Sequence, residues 1–346
     1  MAEQEANISL SVIVPCYNVE KYLDKSLQCL ERQWGERNDY EIILVNDGSK
    51  DGTINKLKEF VARHPDHTKL IDKQQNGGLA AARNSAMDIA CGQWIAFFDP
   101  DDMLAEGSYD KLLDLTSKAE DYDMIRFGVQ IVNNDENYPI PALSEPLTVD
   151  WKGTTLEYML DNTYGTCWCY IYRREVLEGR RFPRNVIVED LLFLVPLLLE
   201  GKKIMKTDAM VYYYYIRANA ATSVAHDPDR LSLQSDDIAS AIEILEGYKQ
   251  GQPDEIQRRL FDKQQFLVHN MSTRILLSNK GTQDVNRIVQ SMTKIGLFPM
   301  PEKETMTRLV NFVFTHLWAL PLFRSMYRSF HSVYPKIRRL MRRVTK

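Results

Sequence analysis

The sequence predicts an α/β protein with a mainly parallel central sheet flanked by helices, followed by a smaller α-helical C-terminal region. Three observations predict it. Over the first hundred residues, short β-branched runs alternate with stretches whose apolar residues recur at helical spacing. Polar, turn-forming clusters follow three of those runs: Pro15 to Asn18, Asn46 to Ser49 and Asp99 to Asp102. After about Pro228 the strand signals vanish and only helical patterning remains.

The elements follow in order. Leu10 to Val14 is a buried-strand run that stops at Pro15. Asn18 is placed to cap a helix whose stripe is Val19, Tyr22, Leu23, Leu27 and Leu30. Glu41 to Val45 is a second strand, and Asp51 is placed to cap a helix with Ile54, Leu57 and Val61 as its stripe. Lys69 to Asp72 is a third strand, Leu79 to Ala90 a helix and Trp94 to Phe98 a fourth strand. Farther on, Tyr122 to Val132 reads as strand and the polar, proline-bearing Asn133 to Asp150 as loop. A helix begins near Thr154, another covers Leu191 to Leu199 after Glu189-Asp190, and Val211 to Ile216 is a tyrosine-rich strand. The expected domains are 1–230, with halves of about 8–102 and 103–230, and a helical region 231–346. In a parallel sheet, ligands sit outside the carboxyl ends of the strands. The polar clusters lie at those ends.

Composition narrows the classes. Charged residues make up 26% and apolar residues 44% of 346, the ordinary values of a folded globular chain. A net charge of −4 disfavours a general nucleic-acid binder. The five cysteines are odd in number and fit no zinc spacing, which favours buried thiols in a reducing compartment. The first residues carry no signal segment, and no apolar run reaches the roughly 18 residues of a membrane span. The expectation is a cytoplasmic protein.

Four groups of residues carry chemistry. Asp99-Pro100-Asp101-Asp102 sets three carboxylates in four residues. Their mutual repulsion calls for a cation or solvent, and hard oxygen donors suit Mg²⁺ or Mn²⁺. An acidic, solvated turn is the alternative for the tetrapeptide alone. Asp47, after the second strand, is an acceptor suited to the N3–H of uracil, or a member of a simple turn with Gly48 and Ser49. Asn76-Gly77-Gly78 lets backbone approach a ligand closely, and Arg83 on the next helix could reach a diphosphate. Glu189-Asp190 at a helix start either complements the helix dipole or supplies a general base.

Together these stretches resemble family 2 glycosyltransferases of the GT-A fold, an inverting type found in bacterial polysaccharide biosynthesis. The resemblance rests on Ser11-Val12-Ile13-Val14-Pro15-Cys16-Tyr17-Asn18, Val45-Asn46-Asp47-Gly48-Ser49-Lys50-Asp51-Gly52-Thr53, Asn76-Gly77-Gly78, Ala82-Arg83-Asn84 and Asp99-Pro100-Asp101-Asp102. Arg181-Phe182-Pro183, Glu189-Asp190 and Tyr214-Tyr215 with Arg217, Thr222 and Ser223 continue it in order, over about residues 8 to 226. The resemblance implies hexosyl or N-acetylhexosaminyl transfer from a UDP-sugar to a saccharide or lipid-linked acceptor. Pro15 and Tyr17 would line the base pocket, Asp47 would bind uracil and Asn76 and Arg83 would contact the donor. Asp99 and Asp101 would form the D-x-D element, with Asp102 sharing the metal. Asp190 would be the base, supported by Glu189. Arg217, Thr222 and Ser223 would hold the departing diphosphate. Asn46 stands where many members have aspartate. Trp168, Arg173 and His226 are weaker candidates for the acceptor side. A nucleotidyltransferase would usually carry a basic, glycine-rich loop where Pro15 to Asn18 stands, and a non-catalytic sugar-nucleotide binder would need a defective site.

Beyond Glu304 there is no acidic residue, while Arg308, Arg324, Arg328, Lys336, Arg338, Arg339, Arg342, Arg343 and Lys346 alternate with aromatics. Residues 308–346 therefore suit an anionic membrane surface, which would add a peripheral location on the inner face of the cell membrane. A helical subdomain that packs its aromatics inward is the other reading. RNA is disfavoured, and a homo-oligomer is left open.

Overall fold

The computed structural model describes residues 8–116, 121–133, 139–143, 146–162, 164–184, 186–216, 227–301 and 305–326. By internal contacts the chain divides into two units, Met1–Asn185 with Glu189–Ala220, and Val186–Val188 with Ala221–Lys346.

The first unit is built on a sheet of nine strands among the described residues. They are β1 (Leu10–Cys16), β2 (Tyr40–Asp47), β3 (Thr68–Lys73), β4 (Trp94–Phe97), β5 (Met103–Leu104), β6 (Met124–Asn133), β7 (Trp151–Thr154), β8 (Tyr170–Arg173) and β9 (Lys203–Ile216). The order is β3-β2-β1-β4-β8-β6-β9-β5, with β7 paired to β9. Strands β3, β2, β1 and β4 run parallel. Strand β8 is antiparallel to both β4 and β6, while β6 and β9 are parallel.

Every residue of β1 and β2 is buried. Central parallel strands are covered on both faces, so they read as continuous apolar runs rather than alternating ones. Helix α1 (Glu20–Glu31) packs against α2 (Thr53–Arg63) and β5, α2 packs also against β2, and α3 (Leu79–Met87) packs against both β1 and β2. Further along lie α4 (Ser108–Thr116), α5 (Thr155–Asp161), a short turn of 3₁₀ helix (Arg174–Leu177) and α6 (Glu189–Leu199). A Thr154–Glu157 capping box opens α5.

One expected cap is corrected. Asn18 lies at φ 51° and makes no cap of α1. Its side chain instead accepts from the Lys50 N–H at 2.8 Å, and its own N–H donates to Ser49 Oγ at 3.1 Å. The residue ties the turn after β1 to the turn after β2. Asp51 does serve a helix start. It accepts from Thr53 N–H at 3.1 Å, and also from the Glu20 N–H at 3.2 Å, so one carboxylate holds the beginnings of α2 and α1.

The second unit contains α7 (Pro228–Lys249), α8 (Asp254–Leu277), α9 (Thr282–Lys294), α10 (Thr305–Thr315) and a 3₁₀ turn at Leu317–Ala319. Helices α7 and α8 pack along each other, and within that contact Arg274 Nε donates to Gln234 Oε1 at 3.1 Å. No helix among the described residues is long and apolar enough to cross a membrane.

Candidate active site

Parallel pairing brings the ends of β1, β2 and β4 to one edge of the sheet. There the turn after β2 meets residues 75–78. Gly48 sits at φ 72°, and a Cβ on it would lie 2.7 Å from the Asn76 amide nitrogen, so only glycine fits. Asp47, almost wholly buried, accepts from Gly77 N–H at 3.1 Å, from Gly78 N–H at 2.7 Å and from the Lys73 ammonium. With these donors in place its lone pairs are taken. The uracil contact expected of Asp47 therefore requires a donor such as Lys73 to be displaced. Pro15 is buried opposite Val45 in the sheet, while Tyr17 beside it is exposed. Asn76 is exposed and its Oδ1 accepts from Gly78 N–H at 2.9 Å.

Arg83 on α3 is the centre of the arrangement and is only 1% exposed. Its Nη2 donates to Asp99 Oδ1 at 2.9 Å, and its Nη1 pairs with Asp190 Oδ1 and lies 3.7 Å from Glu189 Oε1. The guanidinium also stands over the Phe182 ring, 5.2 Å from its centroid. Both Nη groups of Arg83, which was expected to contact the donor, donate to carboxylates. Asn84 beside it clamps Phe182, donating to its carbonyl at 2.9 Å and accepting from its N–H at 2.8 Å. That pair of bonds joins the Ala82-Arg83-Asn84 and Arg181-Phe182-Pro183 stretches.

Three carboxylates thus share one buried cation, and the electrostatics follow. Burial pushes Asp99 up to about 6, with Arg83 opposing the rise and Asp190 and Asp101 adding to it. Burial and then the adjacent Asp190 push Glu189 up to about 8, so Glu189 holds a proton near neutrality. Asp190 is held from a second side by Cys167, whose N–H and thiol both stand 3.3 Å from its carboxylate oxygens.

The acidic tetrapeptide divides its work. Asp101 is half-buried at the turn. Asp102 is buried and turned inward, contrary to the expectation that it shares a metal. Its Oδ2 accepts from the Tyr212 hydroxyl at 2.8 Å and its Oδ1 from the Tyr215 N–H at 2.9 Å. It fastens the turn to β9. Among the described residues no group of three or more His, Cys, Asp or Glu side chains converges as a metal cage.

Of the acceptor candidates, Trp168 is buried and stacks on Tyr212, with ring centroids 4.4 Å apart. Arg173 is corrected outright. It pairs with Trp94 at the beginning of β4, and its Nε donates to the Tyr122 carbonyl at 3.0 Å. It therefore lies at the opposite end of that strand from Asp99. Arg217, Thr222, Ser223 and His226 lie outside the described residues.

Sequence reasoning missed Lys73, Cys167 and Tyr212. Cys167 was visible only as half of a C-x-C pair with Cys169, a weak metal signal, and not as a partner of Asp190, while Lys73 stands in no motif. Tyr212 left a trace as part of the tyrosine run of β9.

A parallel half-sheet whose β4 ends in an acidic turn, faced by an acidic pair opening a helix, defines a GT-A-type domain. Residues 11–181 match the model of the family described as Glycosyl transferase family 2. The "Uncharacterized glycosyltransferase EpsJ" of Bacillus subtilis (strain 168) is 31% identical over 63% of this chain and 64% of its own length. The "Minor teichoic acid biosynthesis protein GgaB" of the same organism is 27% identical over 65% of this chain and 25% of its own. The chain thus spans less than two thirds of these relatives. Among solved structures, S. aureus TarS 1-349 in complex with UDP-GlcNAc superposes with a TM-score of 0.59 at 20% identity, covering 95% of this chain and 92% of that one. This similarity speaks for the fold.

Proposed function

We propose that the protein is an inverting glycosyltransferase that moves a sugar from a UDP-sugar to a hydroxyl of a saccharide or lipid-linked acceptor in cell-envelope polysaccharide synthesis. The observation that carries the reading is the convergence of Asp99, at the end of β4, and Asp190, at the start of α6, on the single buried guanidinium of Arg83. A donor-side carboxylate and a candidate base are thereby held side by side although 91 positions separate them.

In this reading Asp190 takes the proton of the acceptor hydroxyl. The acceptor oxygen then attacks the anomeric carbon from the face opposite the leaving group. The new C–O bond forms as the bond to the UDP oxygen breaks, so the anomeric configuration inverts. Glu189, protonated near neutrality, adds no second negative charge beside the base. Tyr17 stacks on the base, Pro15 walls its pocket, and Asp47 accepts from uracil once Lys73 moves aside.

The donor set suits Mg²⁺ or Mn²⁺. Asp99 and Asp101 supply hard oxygen donors and repel each other without a cation, while diphosphate and water would complete the shell. When bound, the ion supplies positive charge against the diphosphate of the leaving group. UDP is favoured by Asp47 and by the likeness in fold to TarS, whose solved complex holds UDP-GlcNAc. The deciding experiment is a thermal-shift and hydrolysis screen of nucleotide sugars with Mn²⁺ and Mg²⁺. Stabilisation by UDP-sugars with metal is expected, and stabilisation by purine nucleotides alone would overturn the donor assignment.

A further inference from the structure

Helix α10 packs through Val310, Val313 and Phe314, and the turn after it through Ala319 and Leu320, all of which are buried. That face accounts for the packing of the segment. A second apolar face remains outside. On α10 it presents Leu309 and Phe312, both exposed, with Arg308 exposed beside them. Beyond the 3₁₀ turn, residues 320–326 are helical again. Trp318, Leu322 and Met326 then follow at intervals of four, each 63% exposed or more. Leu322 and Met326, four apart, fall on one face of that helix, and Trp318 stands in the 3₁₀ turn just before it. A helix of a soluble domain keeps that stripe polar, and exposed apolar patches of this kind mark interaction surfaces.

The charge of the segment selects the partner. From Thr305 to Lys346 the sequence has nine Lys or Arg residues and no Asp or Glu, in a chain whose net charge is −4. Aromatic and aliphatic side chains exposed in a segment that is wholly cationic match an anionic lipid surface. The apolar residues enter the headgroup boundary while the cations meet phosphate. We propose that residues 305–326 form a docking surface for an anionic bilayer, with Trp318, Leu322 and Met326 as its apolar contacts. The surface stands apart from the sugar-transfer reading, because it includes no residue of the candidate active site.

The test is co-sedimentation of the full chain with vesicles of phosphatidylcholine alone, or with about one third phosphatidylglycerol. It is run beside the triple variant Trp318→Ser, Leu322→Ser, Met326→Ser. The three positions are solvent-exposed, so the variant keeps its fold, which circular dichroism and its Tm check. The unaltered chain is expected to bind the anionic vesicles only. Binding should weaken at least about tenfold in the triple variant, and also when ionic strength is raised to about 1 M. Equal binding by both proteins, or no binding by either, overturns the proposal. Sedimentation velocity without lipid supplies a separate check. An oligomer that the triple variant abolishes would assign the stripe to a second copy of the chain and overturn the membrane assignment.

Discussion

Asp190 and Asp99, on different elements and far apart in sequence, are bridged by the two Nη groups of Arg83, one carboxylate to each. The bridge fixes the separation of the candidate base from the donor-side carboxylate before any substrate arrives. Preorganisation of this kind makes Asp190→Asn a sharp test. The amide keeps the size of the side chain and cannot take a proton. Transfer should fall at least about 100-fold while UDP affinity in the presence of Mn²⁺ stays within about twofold. Activity near that of the unaltered protein would remove Asp190 from the role of base.

Asp101 is half-buried at the turn while its neighbour Asp102 is buried against β9, and their alanine variants should separate the two. Asp101→Ala should weaken UDP binding only in the presence of Mn²⁺ or Mg²⁺. Asp102→Ala removes the acceptor of the Tyr212 hydroxyl and the Tyr215 N–H, both inside the protein. Loss of buried acceptors costs about 1–3 kcal/mol per donor left unsatisfied. A larger fall in Tm is therefore expected from Asp102→Ala than from Asp101→Ala. Calorimetry and metal-dependent UDP titration, run on both variants, read the two effects apart.

The parallel half of the sheet was legible because β1, β2 and β4 are buried throughout and carry apolar runs, Val12 to Val14, Ile42 to Val45 and Trp94 to Phe97. The antiparallel part was not. Strand β8 is four residues, Tyr170 to Arg173, and β5 only two, too short for any period to declare itself. Strand β7, Trp151 to Thr154, lies within reach of the expected helix start, whose capping signal at Thr154 dominates the local pattern. The site divides in the same way. Asp99, Asp101, Glu189 and Asp190 could be named because acidic clusters at strand ends and helix starts are visible along the chain. The inward turn of Asp102 and the commitment of Arg83 to carboxylates could not. Both depend on groups about a hundred positions away, Tyr212 and Asp190, which only the folded sheet brings into reach.

Removing the cation should hurt more than removing any one carboxylate. Arg83→Met keeps a long apolar side chain against Phe97 and Phe182 and leaves Asp99, Glu189 and Asp190 facing one another without compensation. Breaking a buried ion pair from one side costs about 3–5 kcal/mol. The variant should unfold several degrees lower at pH 8. The deficit should shrink toward pH 5, because protonation of Asp99 and Glu189 relieves the repulsion. Their carboxyls already lie high, at about 6 and about 8, with Arg83 present. A deficit that stays constant across that range would mean that the guanidinium acts by packing alone.

At the far end of the sheet, Glu41 provides a test of acid stability away from the active site. Burial alone would raise its pKa. Lys69 at 2.8 Å, the Ser11 hydroxyl at 2.6 Å and the Cys91 N–H at 2.8 Å outweigh burial and hold it below the usual glutamate range. A depressed carboxyl contributes stability that is present in full above the unfolded pKa and is lost as pH falls through the folded one. Glu41→Gln keeps the shape and loses the charge. It should lower stability by about 2 kcal/mol at pH 7, the scale of a hydrogen bond to a charged group. The gap between the two proteins should hold from pH 8 down to about 5 and close below the ordinary glutamate pKa of about 4.3. Urea denaturation of both proteins at pH 7, 5 and 3.5 measures it. A gap that widened on acidification would reverse the sign and show that Glu41 is held protonated in the fold.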